Sequence, residues 1–179
     1  SGVVILAKSD AAFRNLVSVF ASHDLTRKYI AVVWGVPTWE SADITGNIAR
    51  STRNRQTMTM VKTGGKEAHT EVNVVNIWAR EKISELRCTL YTGRTHQIRV
   101  HLSNHGFPVL LDPMYGRGTT RLGSVRDSEL LDFLKTHHGQ MLHAELLELK
   151  HPVTGVPLRF KTRLPDDMAE LKFILQNPA

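Results

Sequence analysis

Polar and apolar residues alternate along SELRCTLY, residues 84–91, with Leu86, Cys88 and Leu90 on one face and Glu85, Arg87 and Thr89 on the other. That is the pattern of a half-buried strand. EVNVVNIW (71–78) reads as another strand, and TRKYIAVVW (26–34) is apolar on both faces, as a strand covered on both sides is. Val3–Leu6 is a short apolar run that predicts a buried strand. Residues 141–149 and 158–164 flank HPVTGVP, whose Pro and Gly predict a long hairpin turn. Helical spacing appears three times. Phe13, Leu16, Val17 and Phe20 follow Asp10, a candidate cap. Ile98 and Leu102 follow a turn at Gly93, with Thr92 or Thr95 as cap and Gly106 as stop, so 96–105 is predicted helical. Met168, Leu171 and Leu175 follow Asp166 and Asp167, either of which can cap a last helix. Strands outnumber helices and come in hairpins, so the class is α+β, a mixed, largely antiparallel sheet with flanking helices.

The chain has 179 residues, 41% of them hydrophobic, enough for one domain with its own core. It has no internal repeat and no linker long enough to divide it. No apolar stretch approaches bilayer length and no signal pattern opens it, which points to a soluble, cytoplasmic protein without a membrane partner. The single cysteine, Cys88, falls on the apolar face of its strand and reads as a core residue. A formal charge of +6 points to a polyanionic partner.

The charge is concentrated. Between Arg50 and Lys66 the chain carries Arg50, Arg53, Arg55, Lys62 and Lys66 without one acid, and Gly64-Gly65 supplies a turn. Such a segment can track a phosphate backbone, or be a solvated hairpin that lacks acids. Arg99, on the first turns of the helix after Gly93, can pair a buried carboxylate, hold a phosphate at the helix start, or be satisfied by loop carbonyls, and spacing alone leaves these open. His101 and His105 stand at i and i+4, but no glutamate lies between them as in H-E-x-x-H, so no metal site is expected.

The string LYTGRTHQIRVHL (90–102) resembles the third sequence motif of the RluA/RluD-type RNA pseudouridine synthases, and other segments match that family in the same order. In RKYIAVVWG, the residues Lys28, Tyr29, Ala31, Val33 and Gly35 are similar to its K-x-Y-x-A-x-V-x-G. Arg55, Met58 and GKEAHT (65–70) resemble its basic strand pair. GFPVLLDPMYG (106–116) resembles its G-x-P-x-x-G-D-P-x-Y-G, with Leu111 in place of a glycine and Asp112 read as a turn former. The resemblance implies that Tyr29 and Arg99 are catalytic, Tyr29 stacking on the target uracil and Arg99 orienting a nucleophilic aspartate. It also implies that Arg50, Arg53, Arg55, Lys62, Lys66, Arg94, Thr95 and His96 contact RNA. The implied partner is large-subunit ribosomal RNA or transfer RNA, and the implied chemistry is uridine isomerisation without a cofactor.

One element of that pattern does not occur in these residues. The family's aspartate lies in a segment resembling H-R-L-D-x-x-T-S-G, and SGVVILAK at the start of this sequence looks like its end. The expectation is a catalytic domain over 1–179 that is incomplete, with the aspartate upstream of Ser1 and no activity of its own. The competing reading is an RNA-binding module that performs no chemistry.

Overall fold

The computed structural model describes residues 1–116 and 118–178, without the side chains of 118–120. Its frame is a seven-stranded sheet. In chain order the strands are β1 (Leu25–Trp34), β2 (Ser41–Arg50), β3 (Met58–Val61), β4 (Lys66–Trp78), β5 (Ile83–Leu90), β6 (Leu142–Lys150) and β7 (Pro157–Lys161). They lie side by side as β3-β2-β4-β5-β1-β6-β7, every neighbouring pair antiparallel. β1 is interior because it has no polar face to expose, and every residue from Ile30 to Trp34 is buried. Among the described residues the α-helices are α1 (Asp10–Ser22), α2 (Gln97–Asn104), α3 (Ser128–Thr136) and α4 (Asp166–Gln176).

The main core joins β1, β4 and β5 to α2, α3 and α4 through Leu86, Cys88, Ile98, Leu102, Leu130, Phe133, Met168 and Leu171. Cys88 is sealed in it, and burial pushes its thiol up to about 12, as befits a packing residue. Met168, Leu171 and Leu175 are all buried on α4, as their spacing predicts. β5 departs from simple alternation at Glu85, which is buried on the expected polar face and held by Lys172 Nζ at 2.9 and 2.8 Å from its two oxygens. α4 covers that face, and strand periodicity alone carries no sign of a cover.

Several local expectations change. Val3–Leu6 is not a buried strand: Gly2 makes one bridge to Ala144, while Val4 and Leu6 are exposed. Ser9, not Asp10, caps α1, its hydroxyl accepting the Ala12 N–H at 3.2 Å. Of the apolar stripe on α1 only Leu16 is buried. α4 begins after Pro165 with no side-chain cap; Asp166 and Asp167 stand in its first turn, where the helix dipole favours them. β2 and α3 lack a clear pattern, and α3 is set by the Asp127 carboxylate accepting Leu130 N–H at 2.8 Å.

His101 of α2 yields a prediction. It is fully buried, and its Nδ1 pairs at 3.0 Å with Thr70 Oγ1, which also accepts from Gln97. Burial and the neighbouring His105 and His69 lower its pKa from 6.5 to about 4. Between those values the unfolded chain binds the proton and the folded one does not, so stability is complete above pH 6.5 and falls as the pH drops toward 4. One such group contributes at most about 1.4 kcal/mol per pH unit. Urea titrations from pH 7 to pH 4 should show this slope, reduced in His101→Gln; an unchanged slope in the variant would mean that other groups carry it.

Candidate functional site

β5 ends at Leu90 and α2 begins at Gln97 with six residues between them, so the connection must turn within one short segment. Gln97 holds that turn. Its Oε1 accepts from Thr92 Oγ1 at 2.8 Å and from Arg94 N–H at 2.9 Å, while its Nε2 donates to His69 O and Thr70 Oγ1, both at 2.9 Å. All four bonds of a buried amide are thereby satisfied. The expected caps, Thr92 and Thr95, do not cap. Thr92 serves the clasp, Thr95 is exposed, and His96 takes the N-cap position in the left-handed region at φ 57° without a side-chain cap bond. Gly106, at φ +88°, follows the end of α2 as expected.

Gly93 is needed for space, since its φ is not positive. A methyl group there would overlap Nη1 of Arg27, which lies directly beneath the turn. Arg27, not the Lys28 matched to the pattern above, occupies the position two before Tyr29, where K-x-Y wants a basic residue. Lys28 points elsewhere, into a hollow with Thr26, Glu71 and Arg87.

The turn borders two cavities. One, of about 160 Å³, is lined by Tyr29, Leu90, Arg94, His96, Gln97, Ile98, Arg99 and Leu142. That is close to the roughly 150 Å³ of an engineered cavity that admits benzene, so it suits a single six-membered ring. The other, about 450 Å³, runs along Arg50, Met58, Lys66, Gly93, Arg94 and Thr95. Arg94 belongs to both, and its Nε is steadied by Glu67 O at 2.7 Å. A hollow of similar size at the β6–β7 edge mixes Asp24, Glu148, Lys150 and Arg159 and gathers no convergent chemistry.

Tyr29 is half-buried in the first cavity. Burial raises its pKa, and the Arg27 guanidinium pulls it back down, so the phenol is neutral near pH 7. Among the described residues no carboxylate lines this cavity. Arg99 reaches its wall but is already paired: its Nε and Nη2 bond Asp112 Oδ2 and Oδ1 at 2.7 and 2.6 Å. Asp112 also accepts the N–H groups of Met114 and Tyr115 at 2.9 and 3.0 Å, the geometry of a turn-forming aspartate. Of the partners its position allowed, Arg99 therefore has a buried carboxylate, that of Asp112. Burial pushes the Asp112 carboxyl up, but the bonds from Arg99, Tyr115 and Met114 outweigh it and hold the pKa below the usual value.

Tyr115 joins this pair to the basic hairpin. Its ring lies under the Arg99 guanidinium, 4.9 Å from Cζ to the ring centroid. Its hydroxyl accepts the Met58 N–H at 2.7 Å and pairs with His96 Nδ1 at 2.9 Å. With Met58 donating, the phenolic hydrogen is free for Nδ1. Burial foremost, with Arg99 nearby, lowers the His96 pKa and agrees with a neutral imidazole.

Of the eight RNA contacts expected, the structure gathers Arg50, Lys66, Arg94 and Thr95 on the larger cavity and His96 on the smaller. Arg53, Arg55 and Lys62 are exposed around β3 and line neither. Arg50 folds back to donate to Arg55 O at 2.5 Å. Gly64 and Gly65, with φ of 72° and 75°, make the β3–β4 turn that returns the chain to β2. Arg27, Gln97 and Tyr115 were not singled out by sequence; the basic position before Tyr29 was a signal for the first, and nothing local marked the others. Among the described residues no group of three His, Cys, Asp or Glu is placed to hold a metal.

Residues 1–104 match the family model described as RNA pseudouridylate synthase. A Chlorobaculum parvum protein described as an uncharacterized RNA pseudouridine synthase is 40% identical over 173 residues, covering 94% of this chain and 52% of that protein. The ribosomal large subunit pseudouridine synthase D of Zymomonas mobilis is 38% identical, covering 94% of this chain and 50% of its own. The chain thus spans about half the length of these curated relatives. The solved structure of human RNA pseudouridylate synthase domain containing 1 superposes with a TM-score of 0.69 at 24% identity, covering 96% of this chain and 74% of that one, which speaks to the fold.

Proposed function

Because this chain belongs to the RNA pseudouridylate synthase family, we propose that the protein isomerises uridine to pseudouridine in structured RNA, large-subunit ribosomal RNA foremost. The observation that carries this reading is the meeting of Tyr29 and Arg94 on a ring-sized cavity that opens beside an acid-free basic groove. The larger groove suits a phosphate backbone and the smaller cavity one flipped base stacked on Tyr29. Unstacked loop or bulge nucleotides are the favoured targets, since they cost less to extract. Transfer RNA is the second substrate class to be compared.

The reaction breaks the bond from uracil N1 to the ribose, turns the base, forms a bond from C5 to the same ribose carbon, and moves the C5 proton away as N1 gains one. A carboxylate nucleophile is needed, and the cavity wall has none. In this reading it comes from chain outside residues 1–179, and residues 1–179 alone do not turn over. Arg94 is the guanidinium placed to hold that carboxylate ionised, and Arg99, tied to Asp112, buttresses the wall. Tyr29 covers the base and assists loss of the C5 proton.

The test uses the full-length protein and large-subunit RNA tritiated at uracil C5. Tritium release with pseudouridine in the digest supports isomerisation; binding without release supports the non-catalytic RNA-binding module. Transfer RNA in the same assay separates the two substrate classes.

A further inference from the structure

Few groups on the wall of the ring-sized cavity are free to bond the edge of a base. Its aliphatic residues have none to offer. The Gln97 amide has all its bonds within the turn, and Arg99 has two nitrogens on Asp112. Arg94 is placed for the nucleophile, and Tyr29 presents its ring face. That leaves His96. Its Nδ1 lies 2.9 Å from the Tyr115 hydroxyl, which accepts the Met58 N–H at 2.7 Å and so directs its own hydrogen to Nδ1. Burial lowers the His96 pKa, so the imidazole is neutral near pH 7, and a neutral ring that accepts at Nδ1 carries its hydrogen on Nε2. Among the described residues Nε2 has no partner. The ring is also held in place. It meets Tyr115 edge to face, 5.6 Å between centroids, and the His96 carbonyl accepts the Val100 N–H at 2.9 Å, anchoring this left-handed residue at the start of α2.

We propose that His96 reads the base: its Nε2–H donates to a carbonyl oxygen of the uracil held on Tyr29, and Tyr115 is the positioning residue that fixes the hydrogen on Nε2. The inference rests on the functional reading above and adds a base-edge contact to it. A donor with a fixed hydrogen selects an acceptor. Uracil has carbonyl oxygens at O2 and O4, whereas cytosine carries at C4 an amino group, itself a donor. Contact at O4 therefore distinguishes uracil from cytosine, and contact at O2 orients the ring over Tyr29. A site that bonds a polar group of its substrate discriminates against an analogue lacking that group, because its own donor is then left unpaired. Met58 belongs to the basic hairpin, so one chain of hydrogen bonds joins the wall of the groove to the group that reads the base.

The experiment takes the full-length protein and its His96→Ala, His96→Gln and Tyr115→Phe variants. Unlabelled RNAs carrying uridine, 2-thiouridine or 4-thiouridine at the target position compete against tritium release from the C5-tritiated RNA, which requires no turnover of the thio base. Sulfur is the poorer acceptor. Wild type should therefore bind one of the thio-RNAs about fivefold more weakly than the uridine RNA, the net worth of one hydrogen bond. A loss with 4-thiouridine assigns O4, and a loss with 2-thiouridine assigns O2. His96→Ala should treat the RNAs alike. His96→Gln, whose amide nitrogen reaches near the place of Nε2, should keep the preference, and Tyr115→Phe, which lets the hydrogen sit on either ring nitrogen, should weaken it. A merely structural His96 would lower affinity for every RNA equally in His96→Ala and leave the preference intact, which overturns the proposal. A wild type that binds all of them alike overturns it too, and a full preference in Tyr115→Phe overturns the part given to Tyr115. Should His96→Ala release no tritium, equilibrium competition for a labelled RNA makes the same comparison. If wild type itself releases no tritium, the functional reading fails first, which is distinct from normal release without any thio preference.

Discussion

Arg94→Met in the full-length protein should slow tritium release from uracil C5 by about 10²–10³-fold, the usual loss when a preorganised electrostatic group is removed. RNA affinity should fall far less, by the one or two contacts that this side chain makes. The expectation follows from position. Arg94 lines both the ring-sized cavity and the basic groove, and its Nε is anchored to Glu67 O, so its terminal nitrogens are presented in a fixed direction. A carboxylate entering that cavity meets Arg94, whereas Arg99 already has two short bonds to Asp112. Arg53→Met is the control: that side chain is exposed on the hairpin and should alter binding alone. Equal turnover by wild type and Arg94→Met would remove Arg94 from the reaction and return the role to another cation.

Arg99→Met should instead cost about 3–5 kcal/mol of stability, because it strands the Asp112 charge in the interior. The two side chains are 9% and 0% exposed, so solvent cannot take the place of the lost partner. Asp112→Asn is expected to be milder, since an amide oxygen can still accept the Met114 and Tyr115 N–H bonds. The sign of the pH effect follows from a carboxyl whose pKa is held below its ordinary value. The contribution is complete above that value and is lost as the pH falls through the folded pKa. Chemical denaturation at neutral pH of Arg99→Met, Asp112→Asn and the double variant measures the coupling. A coupling near zero would mean that the pair stabilises nothing. Because Tyr115 packs under Arg99 and holds Met58 and His96, Arg99→Met should also loosen the basic hairpin from α2.

Much of the frame was legible in the sequence. β1 and β5 were marked by period and by apolar content, α4 by Met168, Leu171 and Leu175, and the β3–β4 turn by Gly64-Gly65. β2 was not legible, because SADITGNIAR is rich in residues that also suit loops, and pairing with β3 on one side and β4 on the other makes it a strand. Val3–Leu6 failed for the reverse reason: apolar content without strand partners on both sides leaves Val4 and Leu6 in solvent. In TGRTHQIR the string marked the site, but assigning its two arginines needed the fold. Five residues apart around a turn and a helix start, Arg94 and Arg99 could each have faced the cavity.

Local chemistry in the sequence therefore determined the α+β class, the central strand, the acid-free hairpin and the family, since alternation, helical spacing and motif order are properties of neighbouring residues. Tertiary structure decided which charges are already spent. Asp112 lies 13 positions from Arg99 and closes on it only when the chain doubles back behind α2. Arg27 comes under Gly93 only because β1 lies beside β5, whose end carries the turn. Pairing and burial depend on distances in space, and those arise from how the strands and helices pack.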